Sequence, residues 1–286
     1  MRTLLLIIFA LIPIGLTSQE IPTRWDELTF SDWDLALEKS NNTCILPIGI
    51  LEKHGPGVPI GSDLIRAREW AKRATEEEYA VVFPDYFYGQ VNEARQHYGT
   101  FSLPSDLTMN LLEATTDEIA RNGFDKIIII NSHGGNPQMI RYFIQNQLEK
   151  KKDYVVYFFE PGMSKEVRDE MMRIRKTELA TDQHGGEREA SEIKYLRPEL
   201  LKLERSPDES GENLNRLKLP STLYTAIWWY ASYPNHYAGD ASFASIELGK
   251  LITDNTLNEL ITAIKSVKND RQTLEIQREY FKNVKQ

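Results

Sequence analysis

Cysteine is almost missing from this chain of 286 residues. Cys44 stands alone, so no intramolecular disulfide can form and core packing has to hold the fold. Positive charge is also in short supply, with 34 Lys and Arg against 42 Asp and Glu, a formal net charge of -8. That argues against a nucleic-acid binder, which needs a concentrated basic face to neutralise phosphates. Beyond the first twenty residues no apolar run approaches the roughly 20 residues that span a bilayer, so the mature chain is expected to have no membrane span. Internal repeats and low-complexity tracts are absent. What remains is an ordinary globular composition, long enough for one large α/β domain.

The first residues stand apart. Arg2 supplies a positive start, residues 4–16 are apolar apart from Pro13 and Gly15, and Thr17 and Ser18 are small. This is the layout of a secretory signal peptide, read as residues 1–18 with cleavage near Ser18. One domain over 19–286 and an extracytoplasmic location, periplasmic or secreted, follow from that reading. No cysteine lies near the cleavage point, which excludes a lipoprotein anchor.

Short apolar runs alternate with longer amphipathic stretches, the pattern of an α/β fold with a largely parallel sheet. Residues 44–51 read as a buried strand beginning at a structural thiol, Cys44, followed by the Gly/Pro-rich loop 55–61. A helix is expected over 63–78, a short strand over 79–83, and a helix over 106–122 with Asp106 as N-cap and Gly123 beyond its end. Residues 126–130, with four consecutive isoleucines, predict a central strand buried on both faces. Pro137 opens a helix to about residue 151, and 154–159 is a strand. Further helices are expected over 164–177, 187–196 and 242–265, the last with a break near Asn255. Residues 198–237 read as surface loops around an aromatic cluster at Trp228, Trp229 and Tyr230.

The polar residues of interest follow the strands. Strand 44–51 runs into Glu52-Lys53-His54-Gly55, and strand 126–130 runs into Asn131-Ser132-His133-Gly134-Gly135. In a parallel sheet the carboxyl ends of the strands share one edge, where ligands bind. Extended residues two apart point the same way, so Glu52 and His54 can address one site. A third segment, His184-Gly185-Gly186-Glu187-Arg188-Glu189, opens a helix, and only one of its two glutamates can face that site. Imidazole and carboxylate together suit Zn²⁺ or Mn²⁺ better than calcium, which prefers oxygen alone.

These segments resemble, in order, the motifs of the creatininase (creatinine amidohydrolase) family. The resemblance rests on Glu52-x-His54-Gly55-Pro56 with Asp63, on His97-x-Gly99-Thr100, on Asn131-x-His133-Gly134-Gly135-Asn136, on His184-Gly185-Gly186-x-x-Glu189 and on Gly239-Asp240, and it covers about residues 25–265. It implies a three-layer α/β sandwich and a binuclear site. Glu52, Asp63 and His133 would hold one ion, and His54, Asp63 and Glu189 the second, with Asp63 shared between them. It further implies His184 as proton carrier to the leaving nitrogen, and assembly into homo-oligomers, hexamers in the family. The reaction implied is hydrolysis of an amide or cyclic amide.

The departures concern substrate. Creatinine-hydrolysing members carry bulky and acidic residues after the histidine equivalent to His133, where this chain has Gly134-Gly135. Gly57 and Lys53 also differ from the commoner residues of the first motif. Gly134, Gly135, His97 and Trp228 are the candidate substrate contacts. A small-molecule amide or a short modified peptide is the expected partner, with a peptidase or deformylase activity as the alternative. A non-catalytic, metal-stabilised binding protein is the competing class. A phosphate enzyme is disfavoured, because only Lys53 and Arg188 are near the motifs as clamps.

Overall fold

In the computed structural model, which describes residues 21–285, a parallel sheet of four strands is covered by helices on both faces. The expected leader, residues 1–18, lies outside the described residues. The elements run α1 (Trp33–Ser40), β1 (Thr43–Ile48), α2 (Ser62–Glu77), β2 (Val81–Val82), α3 (Ser105–Arg121), β3 (Lys126–Asn131), α4 (Pro137–Asn146) and β4 (Val155–Phe159). Then follow α5 (Lys165–Ile174), α6 (Glu187–Leu196), α7 (Trp228–Ser232), α8 (Ile246–Asn269) and α9 (Gln272–Asn283).

The strand order is β2-β1-β3-β4, and every neighbouring pair is parallel. The isoleucines of β3 explain its place. Ile127 and Ile129 enter a core with Leu112 and Ile119 of α3 and Ile140 and Phe143 of α4. Ile128 and Ile130 enter the opposite core, with Trp70 and Ala74 of α2 and Leu260 and Ile264 of α8. A strand apolar on both faces therefore sits between two helical layers, which is the three-layer α/β arrangement. Among the described residues no helix is long and apolar enough to cross a membrane.

Several expected boundaries need correction. β1 stops at Ile48, because the chain leaves the sheet at Gly49 to pass against the start of α2. Asp106 lies inside the first turn of α3 and Pro104 is at the N-cap, with no side-chain cap. α4 ends at Asn146, short of residue 151, and α5 is shorter than expected, with Ser164 as its cap accepting from Val167 N. α8 starts at Ile246, since the Ser245 side chain caps it and residues Ala241–Phe243 form a tight 3₁₀ turn instead. It continues unbroken through Asn255, whose amide donates outward to the Gly162 carbonyl at 2.8 Å and leaves the helix ladder alone. Helices α1 and α9 lie where no helix is expected, and α7 lies in the segment 198–237 expected to be surface loops.

Candidate active site

The carboxyl edge of the sheet gathers three loops. The segment after β1 brings Glu52 and His54, the residues after β3 bring His133, and the turn before α6 brings His184, with Glu189 in the first turn of the helix. Asp63 stands in the first turn of α2, where free backbone amides favour a carboxylate. Gly185 is what lets the third loop close in. Its φ is +67°, and a Cβ there would lie 2.7 Å from the His54 backbone. The turn is further fixed by backbone bonds between His184 and Ala238 at 2.9 and 3.0 Å.

Glu52, His54, Asp63, His133 and Glu189 are all buried and converge. Two triads each bring one potential ligand atom per residue to within 4.8 Å of the others: Glu52, Asp63 and His133, and His54, Asp63 and Glu189. A third such group is Glu52, His54 and His184. Of the glutamate pair on α6, Glu189 faces the site. Glu187 turns away and accepts from the amides of Lys176 and Thr177 at 2.7–3.0 Å.

The histidines share one arrangement. His133 donates Nε2–H to the Gln90 carbonyl (2.8 Å), His54 donates Nδ1–H to the Glu52 carbonyl (3.2 Å), and His184 donates Nε2–H to the Lys53 carbonyl (2.8 Å). In the neutral ring the other nitrogen is then a lone pair, and in each case it faces carboxylates. His133 Nδ1 is 2.8 Å from Glu52 Oε1 and 3.2 Å from Asp63 Oδ2; His54 Nε2 is 3.2 Å from Asp63 Oδ1 and 3.8 Å from Glu189 Oε2. Glu52 Oε1 and Asp63 Oδ2 have no hydrogen-bond partner despite complete burial. His133 Nδ1 thus meets Glu52 Oε1 and Asp63 Oδ2 off any hydrogen-bond line, whereas His54 Nε2 and Asp63 Oδ1 lie in hydrogen-bond geometry. Such a cluster requires positive charge at its centre, and metal-ligating histidines commonly donate their second N–H to a carbonyl in this way. The residues fit divalent ions held by nitrogen and oxygen.

The ionisation pattern agrees. Burial works against charge on His54, but Asp63, Glu52 and Glu189 override it and hold its pKa at about 9. His133 is likewise held well above its ordinary value, against burial, by Glu52 and Asp63. Burial opposes charge on Glu189 too, yet Arg66 and His54 bring it down to about 2. Glu52 and Asp63 also lie well below the carboxylate range, against burial, mainly through His133 and His54 respectively. His184 goes the other way: burial lowers it to about 4, so its ring is neutral and Nδ1, 3.9 Å from Glu189 Oε2, is a free acceptor.

Three site residues escaped the sequence. Arg66, 2% exposed, donates from Nη2 to Asp63 Oδ1 (2.6 Å), to the Ser132 carbonyl (2.8 Å) and to Glu189 Oε1 (3.0 Å); its Nη1 reaches Glu192 Oε1 at 3.3 Å. His236 is buried with Nε2 2.6 Å from Glu52 Oε2. Glu192 is buried beside Arg66. The one available signal was histidine scarcity: the chain has five, and His236 sits in a Gly-containing stretch like the others.

The candidate substrate contacts divide. His97 donates Nε2–H to the Pro234 carbonyl at 3.1 Å, tying its loop to the turn before His236. Gly134 is exposed, with nothing within 4 Å of where a Cβ would stand. At Gly135 a Cβ would meet His133 Nε2 at 2.4 Å and Glu93 Oε1 at 3.1 Å, so the backbone passes close to the cage only without a side chain. Trp228 is exposed and packs edge-on against Trp229, whose own ring edges onto His184 at 5.8 Å. Gly134 and Trp228 are thus open to solvent, while His97 is engaged in the scaffold.

Comparison with known proteins identifies the arrangement further. The creatininase family model, described as creatinine amidohydrolase, matches residues 26–264. Creatinine amidohydrolase of Pseudomonas putida is 25% identical over 200 residues, 64% of this chain and 75% of that protein. A mycofactocin precursor peptide peptidase of Mycobacterium ulcerans is 21% identical over 257 residues, 87% of this chain and 88% of its own length. Among solved structures, creatinine amidohydrolase (creatininase) superposes with a TM-score of 0.74 at 22% identity, covering 87% of this chain and 98% of that one, a likeness of fold.

Proposed function

The chain belongs to the creatininase family of hydrolases of carbon–nitrogen bonds, and from that premise we propose that it is an exported, two-metal amidohydrolase. Glu52, Asp63 and His133 would hold one ion and His54, Asp63 and Glu189 the other, with Asp63 serving both. The observation that carries the reading is that Glu52 Oε1 and Asp63 Oδ2, both buried and without a hydrogen-bond partner, face His133 Nδ1 at 2.8 and 3.2 Å. Zn²⁺ or Mn²⁺ bound there supplies a Lewis acid for a carbonyl oxygen and lowers the pKa of water toward about 7.

The chain's own residues do the rest. His184, anchored through Nε2–H to the Lys53 carbonyl, presents Nδ1 to take a proton and return it to the leaving nitrogen. Arg66 holds Asp63 and Glu189 in place from behind. The unfilled space at Gly134 and the exposed Trp228 give room for a substrate larger than a small polar ring. That favours a linear amide or short peptide over creatinine, consistent with the long match to a peptide peptidase.

A single preparation tests the proposal. The full chain is expressed, the mature N-terminus is sequenced, and the purified protein is assayed for metal and against lactams, cyclic ureides, formamides and dipeptides. The expected outcome is a start near residue 19, close to two Zn or Mn per chain, and hydrolysis that Asp63→Ala abolishes. A protein that takes up no metal on reconstitution, with Asp63→Ala leaving hydrolysis unchanged, overturns the reading; an uncleaved leader overturns export alone.

A further inference from the structure

We propose that Trp229 and His236 are positioning residues that aim Glu52 at its ion, an inference that rests on the metal reading above. Trp229 opens the way. Its indole N–H, which can only donate, lies 2.7 Å from His236 Nδ1. His236 Nδ1 must therefore accept, the ring proton sits on Nε2, and Nε2–H donates to Glu52 Oε2 at 2.6 Å. With Oε2 held, the second oxygen of Glu52 is directed at His133 Nδ1, 2.8 Å away, and has no other partner. A carboxylate fixed by one oxygen presents the other in a single direction, which is how outer residues orient metal ligands.

The backbone supports a dedicated role. His236 has φ +55°, a left-handed conformation disfavoured for a residue with a Cβ. The strained turn swings the ring inward, and the His236 N–H donates to the Tyr233 carbonyl at 2.9 Å as the chain leaves α7. The His236 ring packs 4.5 Å from His184 and Trp229 packs 4.9 Å from Tyr233, so neither partner of the relay is free to turn. Trp229 thus acts on the site through His236, whereas the neighbouring Trp228 is the ring left open to solvent.

The test uses Co²⁺ as the probe, measuring its affinity by chelator competition and its visible absorption in wild type, His236→Ala, His236→Gln and Trp229→Phe. Nitrogen-15 NMR of the metal-free protein reads the histidine tautomers. Expected are an Nε2–H tautomer for His236, a loss of roughly 10–100-fold in Co²⁺ affinity in His236→Ala, and partial recovery in His236→Gln, whose amide N–H reaches toward the same oxygen. Trp229→Phe keeps an aromatic ring but removes the N–H donor, so it carries the test if His236→Ala fails to fold; its expected result is weaker Co²⁺ binding and a mixed tautomer. A merely structural pair would change melting and leave affinity and spectrum alone. Wild-type affinity and absorption in both His236→Ala and Trp229→Phe, or an Nδ1–H tautomer in the wild type, overturns the inference alone. A wild-type chain that takes up no Co²⁺ sinks the metal reading and this inference with it.

Discussion

At the scale of single residues, Arg66 carries the heaviest electrostatic duty. Glu52, Asp63, Glu189 and Glu192 are buried together, and Arg66 is the guanidinium that reaches three of them. Removing one partner from a buried ion network leaves the other charges uncompensated, at a cost of about 3–5 kcal/mol. Arg66→Met is therefore expected to lower stability by that amount in metal-free protein, and by clearly less when Zn²⁺ or Mn²⁺ is saturating. Urea unfolding with and without chelator measures both; an unchanged midpoint without metal refutes the role. This residue also marks where sequence reading stops. Glu52, His54, His133 and Glu189 were legible because each sits at a strand end or helix start among glycines, a local signal. Arg66 lies one turn after Asp63 inside an amphipathic helix, where the same spacing reads as a solvated i,i+3 pair. Only the packing of α2 against α6 and the Ser132 loop turns it inward.

At the scale of elements, what the sequence showed depended on how much each element buries. β3 and α6 were legible to within a residue, because four isoleucines or a glycine pair leave little choice of boundary. α1 and α9 were not: α1 buries only Ala36 and Ser40, and α9 buries nothing, so neither carries a strong apolar period. α9 also lies beyond the residues matched by the family. Its attachment is polar. Asp270 accepts from the amides of Gln272 (2.9 Å) and Thr273 (3.1 Å) and from the Tyr157 hydroxyl on β4 (2.8 Å). Bonds led by the Thr273 hydroxyl, with the two amides and Tyr157, bring its pKa from 3.8 to about 2 against a burial effect. A depressed carboxyl pKa stabilises the folded form above pH 3.8, and the contribution is lost as pH falls toward 2. Protection factors over residues 272–283, corrected for the intrinsic rate at each pH, should accordingly fall in Asp270→Ala at neutral pH, and in wild type on acidification, while β3 amides stay protected. Equal protection of α9 in variant and wild type would refute the tether.

At the scale of the whole molecule, the buried histidines and carboxylates couple folding to protons and, on the two-metal proposal, would couple it to metal as well. In metal-free protein His54 has its pKa raised from 6.5 to about 9, and His133 is raised as well, chiefly by carboxylates acting against burial. A raised histidine pKa gives stability that is complete below pH 6.5 and disappears as pH climbs through about 9. Metal-free protein should thus melt at progressively lower temperature across that window. Divalent ions replace those protons as the charge at the centre, so the loaded protein should keep its midpoint there, and ion uptake at pH 7 should release about two protons. Each half is measurable: melting against pH with chelator or excess Zn²⁺, and calorimetry of ion binding in buffers of different ionisation enthalpy. A metal-free midpoint that holds flat from pH 6.5 to 9, together with no proton release, would mean that the facing imidazoles and carboxylates do not share their charge as the geometry requires. On the two-metal proposal the coupling would also give the cage a physical reason to wait for its ions: below about pH 9 protons on the histidines hold the carboxylates together, and metal would enter by displacing them.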